Sequence, residues 1–256
     1  MKKSTNEVNE VQIEKLGVGV ASVWVKGMTP LIYNAMSAKV RGELLLPKGK
    51  KSAAEKATTL KHDPLAEYRA SVYRRMGNVG ETRLTFPATA FKNAAIGAVR
   101  HLDAGVTMVQ MKQLIWVCGD IVSVYGMPQL HMAVVRSADM NKTPDVRTRA
   151  ILPEWACRLT VTFNKPILRE QSVANLLAAA GMQSGVGDWR QEKGSGSFGA
   201  FKLVSNDDKD FLRIVKTMGR EVQQEALDNP IAYNAETEEM LAWFDVEIKR
   251  RGFKVA

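Results

Sequence analysis

The order of secondary structure is the strongest constraint on the fold, because a strand-like segment is twice followed by a helix-like one. The first unit joins the strand candidate Val18 to Gly27 to the segment TPLIYNAMSAKVRGELL. In that segment Thr29 is predicted to cap a helix and Pro30 to occupy its first turn. The second unit joins the strand ETRLTFP to the helix ATAFKNAAIGAVRHL. Strands that return beside such units form an antiparallel sheet.

The second half of the chain continues this mixture. MKQLIWVCGDIVSVYG predicts a hairpin that turns at Gly119 and Asp120, and CRLTVTFNKPIL predicts a strand. REQSVANLLAAAGM predicts a helix ending at Gly181, and SFGAFKLVS predicts a further strand. The fold class is therefore α+β, a ferredoxin-like or RRM-like antiparallel sheet with helices on one face. A doubly wound parallel fold is disfavoured, because no glycine loop links an early strand directly to a helix.

The chain divides into three parts by composition. We expect a flexible N-terminus at 1–16, a core at 17–204 and a C-terminal helical segment at 205–256. The core carries a basic insertion at about 46–64 and an irregular segment at about 136–155. Helices are predicted for DKDFLRIVKTM and NAETEEMLAWFDVEIKRR, and the second has an apolar stripe that packs on the body or on a neighbouring copy. That stripe comprises Met240, Leu241, Phe244 and Ile248.

Charge points to a polyanionic partner. Lys and Arg number 36 against 27 Asp and Glu, a formal net charge of +9. The stretch from Arg41 to Arg75 carries a net +5, whereas 205–256 carries −3. A basic body with a mildly acidic end is typical of a groove that neutralises phosphates. The alternative is a solvated surface with surplus lysines.

Several classes of protein are disfavoured. Cys118 and Cys157 lie in apolar strand-like surroundings, which indicates structural thiols in a reducing, cytoplasmic compartment. No apolar run approaches the ~18 residues of a membrane span, and no secretory signal follows MKKSTNEVNE, so we expect no membrane partner. His62, His101 and His131 lack metal-ligand spacing, and no metal centre is predicted.

A glycine-rich segment, GVGDWRQEKGSGSFGAF, begins at Gly185. Glycines let backbone N–H groups approach phosphate oxygens closely, and Arg190 and Lys193 add positive charge. The order G-x-x-x-x-G-K-[ST] is missing, so no nucleotide cofactor is predicted. The alternative is a flexible hairpin without a ligand.

A second motif, FPATAFKNAAIGAVR, runs from Phe86 to Arg100. Thr89 is predicted to cap a helix after Pro87, with Lys92 near its first turn. A basic residue opposes the helix dipole there unless an anion is bound, so Lys92 indicates an anion site.

Together the two motifs resemble the RAMP superfamily, the RRM-like proteins of CRISPR effector complexes, or a phage-borne relative of them. The match rests on Pro87, Thr89, Phe91, Lys92 and Arg100 in order, and on the glycine-rich segment from Gly185 to Gly199. The resemblance implies a backbone subunit that polymerises along a guide RNA, with other effector subunits as further partners. It also implies that 136–155 is a thumb-like hairpin over that strand.

Candidate binding residues come from these three segments. Arg147 and Arg149 flank Thr148, so both face one side of an extended chain and can grip phosphates. The alternative is that Asp139 and Asp145 hold them on the surface. Trp189 is a candidate for stacking on an unpaired base, or else a core residue. The predicted nucleic-acid-binding set is Lys92, Arg100, Arg147, Arg149, Gly187, Trp189, Arg190, Lys193, Gly194 and Gly196.

The sequence thus predicts a non-enzymatic protein that binds single-stranded RNA and assembles as a homo-oligomer along it. One alternative is a phage-type protein that coats or anneals single-stranded DNA. Another is a metal-dependent endoribonuclease, since the RAMP resemblance places a cleaving aspartate in the insertion that holds Asp63. A third is a structural assembly protein such as a virion component.

Overall fold

A computed structural model describes residues 15–36, 38–45, 60–77, 79–103, 105–136, 143–193 and 196–253. The strands are β1 (Gly17–Gly27), β2 (Leu31–Ile32), β3 (Tyr73–Arg74), β4 (Leu84–Pro87), β5 (Ile115–Val117), β6 (Ile121–Tyr125), β7 (Gln129–Arg136), β8 (Pro144–Leu152), β9 (Ala156–Lys165) and β10 (Phe201–Val204). The helices are α1 (Ala38–Leu45), α2 (Pro64–Ala70), α3 (Ala88–Ala98), α4 (Met108–Leu114), α5 (Glu170–Gln183), α6 (Lys209–Thr217), α7 (Arg220–Asp228) and α8 (Ala235–Arg251).

The larger sheet is antiparallel throughout its described strands. Its order is β10, β1, β9, β6, β4 and β3, and β5 also pairs with β9. Taken along the chain, β1, α3, β5 with β6, β9, α5 and β10 form the β-α-β-β-α-β arrangement of a ferredoxin-like fold. The α+β fold class and the antiparallel sheet predicted from the sequence are confirmed.

The predicted hairpin at Gly119 and Asp120 is wrong. Ile115 pairs with Phe163 and Val124 with Cys157, so β5 and β6 lie one after the other along the same edge of β9. The two residues form a break within one strand path, because each half finds its hydrogen-bond partners on β9 rather than on the other half.

Two predicted helix ends also differ. Thr29 caps no helix, because the chain continues into β2 and its Oγ1 accepts a hydrogen bond from Ala200 N at 2.9 Å. The first helix of the ferredoxin-like unit is α3, and the described elements β2, α1, α2, β3 and β4 come between β1 and this helix. Gly181 lies inside α5, which continues to Gln183, because the glycine lets the helix approach Phe201 closely.

The main core lies between one face of this sheet and the helices α3 and α5, which pack on each other. Alternate residues of β9 point into it, as expected for a strand with one buried face. The fully buried members from these elements include Phe91, Leu159, Val161, Phe163, Val173 and Leu177.

A smaller sheet of β2, β8 and β7 stands beside the main one. Strand β8 occupies Pro144–Leu152 of the segment predicted to be irregular, and 137–142 lie outside the described residues. Helix α8 packs against β7, where Met132 N donates to Thr237 Oγ1 at 3.2 Å. The predicted stripe packs on the body, with Met240 and Leu241 against the core and Ile248 buried. Both predicted tail helices are confirmed as α6 and α8, and α7 between them was missed.

In the described ranges, we find no helix with the length and apolar character needed to span a membrane. The second face of the main sheet is covered at one end by α6. There Phe211 and Ile214 pack against Tyr125 and Ala156.

Candidate functional site

The two sequence motifs, about 90 residues apart, meet in one cavity of about 370 Å³. One wall is the start of α3, and the other is the glycine-rich loop that follows α5. The polar residues that line it are Asn34, Tyr73, Thr89, Asn93, Asp188, Arg190 and Lys193. The fold therefore brings together the segments that the sequence singled out separately.

The helix wall presents the N-terminus of α3. Pro87 occupies the cap position, and within the described part of the chain no side chain caps this end. Thr89, predicted as the cap, lies in the first turn and lines the cavity with Ala90. Ala88 N donates to Asp120 O at 2.9 Å. The first turn of a helix carries unpaired N–H donors and a partial positive charge, so this wall suits an anion.

The loop wall owes its glycines to packing within the protein. Gly187 has φ of 91°, and a Cβ on it would lie 2.6 Å from Leu31 Cδ1. A Cβ on Gly196 would lie 1.8 Å from Trp189 O. These two predicted binding residues therefore shape the loop, because any side chain would displace it from its neighbours. Gly194 lies outside the described residues.

An ion pair between Arg149 and Asp188 joins the β7–β8 hairpin to the glycine-rich loop. The Arg149 side chain is only 13% exposed. Burial and the neighbouring Arg147 lower the pKa of Arg149 to about 10, which leaves the guanidinium charged at neutral pH. Arg147, predicted to act with Arg149, lies exposed on β8 and outside the cavity lining. Asp188 N also donates to Ile32 O at 3.0 Å, which fixes the loop to β2.

The remaining cations of the loop, Arg190 and Lys193, differ in how their side chains are held. Arg190 donates from Nη1 to Gly187 O at 3.1 Å and from Nη2 to Glu192 Oε2 at 3.2 Å. Lys193 is exposed at the mouth of the cavity. Trp189 stacks on Phe198 with ring centroids 6.1 Å apart and remains 36% exposed. Lys193 is thus the loop cation best placed to meet a bound anion.

Two other predicted residues point elsewhere. Lys92 Nζ lies 5.8 Å from the centroid of the Trp116 ring, and Arg100 Nε donates to Met108 Sδ at 3.1 Å. Neither lines the cavity. Asn93 and Asp188 line it and were missed, although Asn93 stands four residues after Thr89, the spacing that places two side chains on one helix face.

The carboxylate proposed for cleavage has a local structural role. Asp63 caps α2, where its Oδ1 accepts a hydrogen bond from Ala66 N at 3.0 Å. Next to it, His62 lies between Glu67 and Asp145, with ring nitrogens 2.9 and 3.0 Å from their carboxylate oxygens. In the ranges that the structure describes, no three His, Cys, Asp or Glu side chains are arranged to hold a metal ion.

No protein-family model matches the sequence, and no curated protein matches it. Among solved structures, the chain is similar to the crystal structure of Cmr6 from Pyrococcus furiosus, with a TM-score of 0.37 and 10% sequence identity. The likeness covers 73% of this chain and 98% of that one.

Proposed function

We propose that this protein binds single-stranded nucleic acid, RNA in preference to DNA, and assembles as a repeated subunit along the strand. The supporting observation is the cavity where the start of α3 meets the glycine-rich loop. An uncapped helix N-terminus, the amide of Asn93 and the ammonium of Lys193 converge there. This set of donors matches a phosphodiester group, which offers charged acceptor oxygens and no donor.

Long-range charge supports the same ligand class. The net charge of +9 attracts a polyanion before contact and makes binding depend on salt. At the site, Arg190 in the cavity lining and Arg149 behind it already have acidic partners in Glu192 and Asp188, respectively. We therefore assign them to holding the loop in shape, and Lys193 to the strand itself.

Three further features belong to this proposal. Other subunits join the assembly, as the sequence resemblance implies, and the protein works in the cytoplasm, where its two free thiols stay reduced. It binds without cleaving the strand, since Asp63 is engaged in capping α2. Preference for RNA is expected to arise from contacts to the 2′-hydroxyl group.

Fluorescence anisotropy with a labelled 30-nucleotide RNA, titrated between about 50 and 200 mM salt, tests the proposal. We expect a steep fall in affinity with salt. We also expect Lys193→Ala to weaken binding and to reduce the slope of the log–log plot by about 1, because one phosphate contact is lost. Lys249→Ala, on the last turn of α8 and outside the cavity, is the matched control and should leave the slope unchanged.

Two further experiments distinguish RNA binding from DNA coating and from RNA cleavage. A DNA strand of the same sequence should bind more weakly, and equal or tighter binding would instead favour the DNA-coating function. With Mg²⁺ added, the RNA should be recovered intact; cleavage that disappears in Asp63→Ala would favour the endoribonuclease. An affinity that does not change with salt would exclude phosphate recognition altogether.

A further inference from the structure

A second surface of the main sheet has features that the cavity does not explain. We call it the open face, the side of β1, β9 and β5 turned away from α3 and α5. It is formed by Val18, Val20, Trp24, Trp116, Arg158, Thr160 and Thr162. Val18 is 71% exposed, Val20 61% and Trp116 41%. Large apolar side chains at this exposure on a strand are typical of a contact surface.

Strand register places these residues in ordered rows. Val20 pairs with Thr162, which pairs in turn with Trp116 on the other side. Trp24 pairs with Arg158, four residues before Thr162 on β9. From strand spacing, Trp24 and Trp116 lie about 16 Å apart across the sheet. The middle of the open face thus carries the hydroxyl groups of Thr160 and Thr162 beside Val20, and an aromatic ring stands at each end.

Each ring also has a cation beside it. Lys92 Nζ lies 5.8 Å from the Trp116 ring centroid, and the Arg158 guanidinium carbon lies 5.7 Å from that of Trp24. Arg158 is exposed, so the outer side of its guanidinium is available to a ligand. The nearby carboxylate of Glu81 accepts a hydrogen bond from Tyr125 OH. Each of the two aromatic positions therefore has a cation beside it, and Glu81 places one carboxylate in the groove next to Trp24.

A groove of about 650 Å³ continues the open face towards α6. Its polar lining includes Glu81, Ser123, Arg158 and Thr160, and Phe211 and Val215 form its α6 side. Hydroxyl groups can donate to or accept from the edge of a base, so the groove offers hydrogen-bond partners to one.

We propose that the open face is a second binding surface for the same single strand, and that it holds unpaired bases rather than phosphates. One base stacks on Trp116, and another stacks on the Arg158 guanidinium that lies over Trp24. A second protein copy fits less well, because the cations beside the two rings would lie close to the same cations of the partner. This inference rests on the proposed function, since it assigns the bases of a further part of the same strand, on the side of the sheet opposite the α3 cavity.

Replacement of Trp116 is the direct test. In the anisotropy titration, Trp116→Ala should weaken binding about tenfold and leave the salt slope unchanged, because stacking is lost and no phosphate contact is. Trp243→Ala is the matched control, since Trp243 is 65% exposed on α8, away from the open face. It should bind like the wild type. An RNA carrying 5-iodouridine should form a photo-crosslink to Trp116, located by mass spectrometry.

Two substitutions of opposite charge at one exposed position distinguish an effect on binding from an effect on folding. Val20→Lys should strengthen binding and Val20→Glu should weaken it, although both place a similar long side chain at an exposed position. Wild-type affinity in Trp116→Ala with no crosslink at this face would overturn the inference, even if Lys193→Ala behaves as expected. A dimer that Trp116→Ala dissociates, with RNA affinity unchanged, would overturn it in favour of a second copy. Failure of the wild type to bind any strand would overturn both proposals.

Discussion

A single buried amide, that of Gln223 on α7, holds together the far edge of the main sheet. Its Oε1 accepts hydrogen bonds from Arg83 N at 2.7 Å and Leu84 N at 2.9 Å, and its Nε2 donates to Val124 O at 2.8 Å. Backbone groups at the start of β4 and near the end of β6 thus depend on one side chain for their hydrogen bonds. A buried backbone N–H or C=O group that loses its hydrogen-bond partner lowers the free energy of unfolding. Replacement of Gln223 should therefore destabilise the protein.

Gln223→Ala should lower the free energy of unfolding by about 3 kcal/mol, since several buried backbone groups lose their partner. Gln224→Ala is the control, because Gln224 only donates to Asp228 at the surface, at 2.9 Å. Urea denaturation followed by circular dichroism measures both. Equal midpoints for the two variants would show that water replaces the Gln223 amide without cost.

Residue types in the site were predictable, but their partners were not. The sequence identifies Arg149 as a cation on an extended strand, yet its ion pair with Asp188 depends on how the hairpin meets the loop. Lys92 likewise lies near a helix start as predicted, and its side chain turns to Trp116. Contacts between residues far apart in sequence follow from the assembled fold and leave no local pattern.

At the scale of elements, α5 sets the position of the glycine-rich loop through its close approach to β10. A Cβ at Gly181 would lie 2.0 Å from Phe201 O and 2.6 Å from Phe201 Cδ2. Sequence reasoning placed a helix end at this glycine, because glycine is common at helix ends. In the fold it serves packing inside the helix instead.

Gly181→Ala should therefore destabilise the protein by about 1 to 3 kcal/mol, despite the higher helix propensity of alanine. Gly42→Ala, in α1, should be neutral or stabilising, because a Cβ there meets nothing within 4 Å. Thermal unfolding of both variants gives the comparison. If Gly181→Ala also stabilised the protein, the close contact between α5 and β10 would be contradicted.

For the whole molecule, the sequence predicted the class and the antiparallel sheet, because alternating apolar positions and helix signals are local. Local patterns do not specify which strands pair, and the pattern around Gly119 and Asp120 predicts a hairpin where the fold has a break in one strand path. Both halves belong to one edge of β9, where Cys118 N donates to Thr160 O at 2.8 Å. That arrangement places Trp116 on the open face, and α3 and the glycine-rich loop on the other side of the sheet.

The most direct test of strand binding is to purify the protein at low salt and identify whatever nucleic acid accompanies it. The absorbance ratio at 260 and 280 nm, followed by digestion with RNase or DNase and sizing of the protected fragments, gives the result. We predict a protected strand that is sensitive to RNase after deproteinisation and whose lengths increase in regular steps, one step per bound subunit. A protein free of nucleic acid that also fails to bind an added 30-nucleotide RNA would contradict the proposed function.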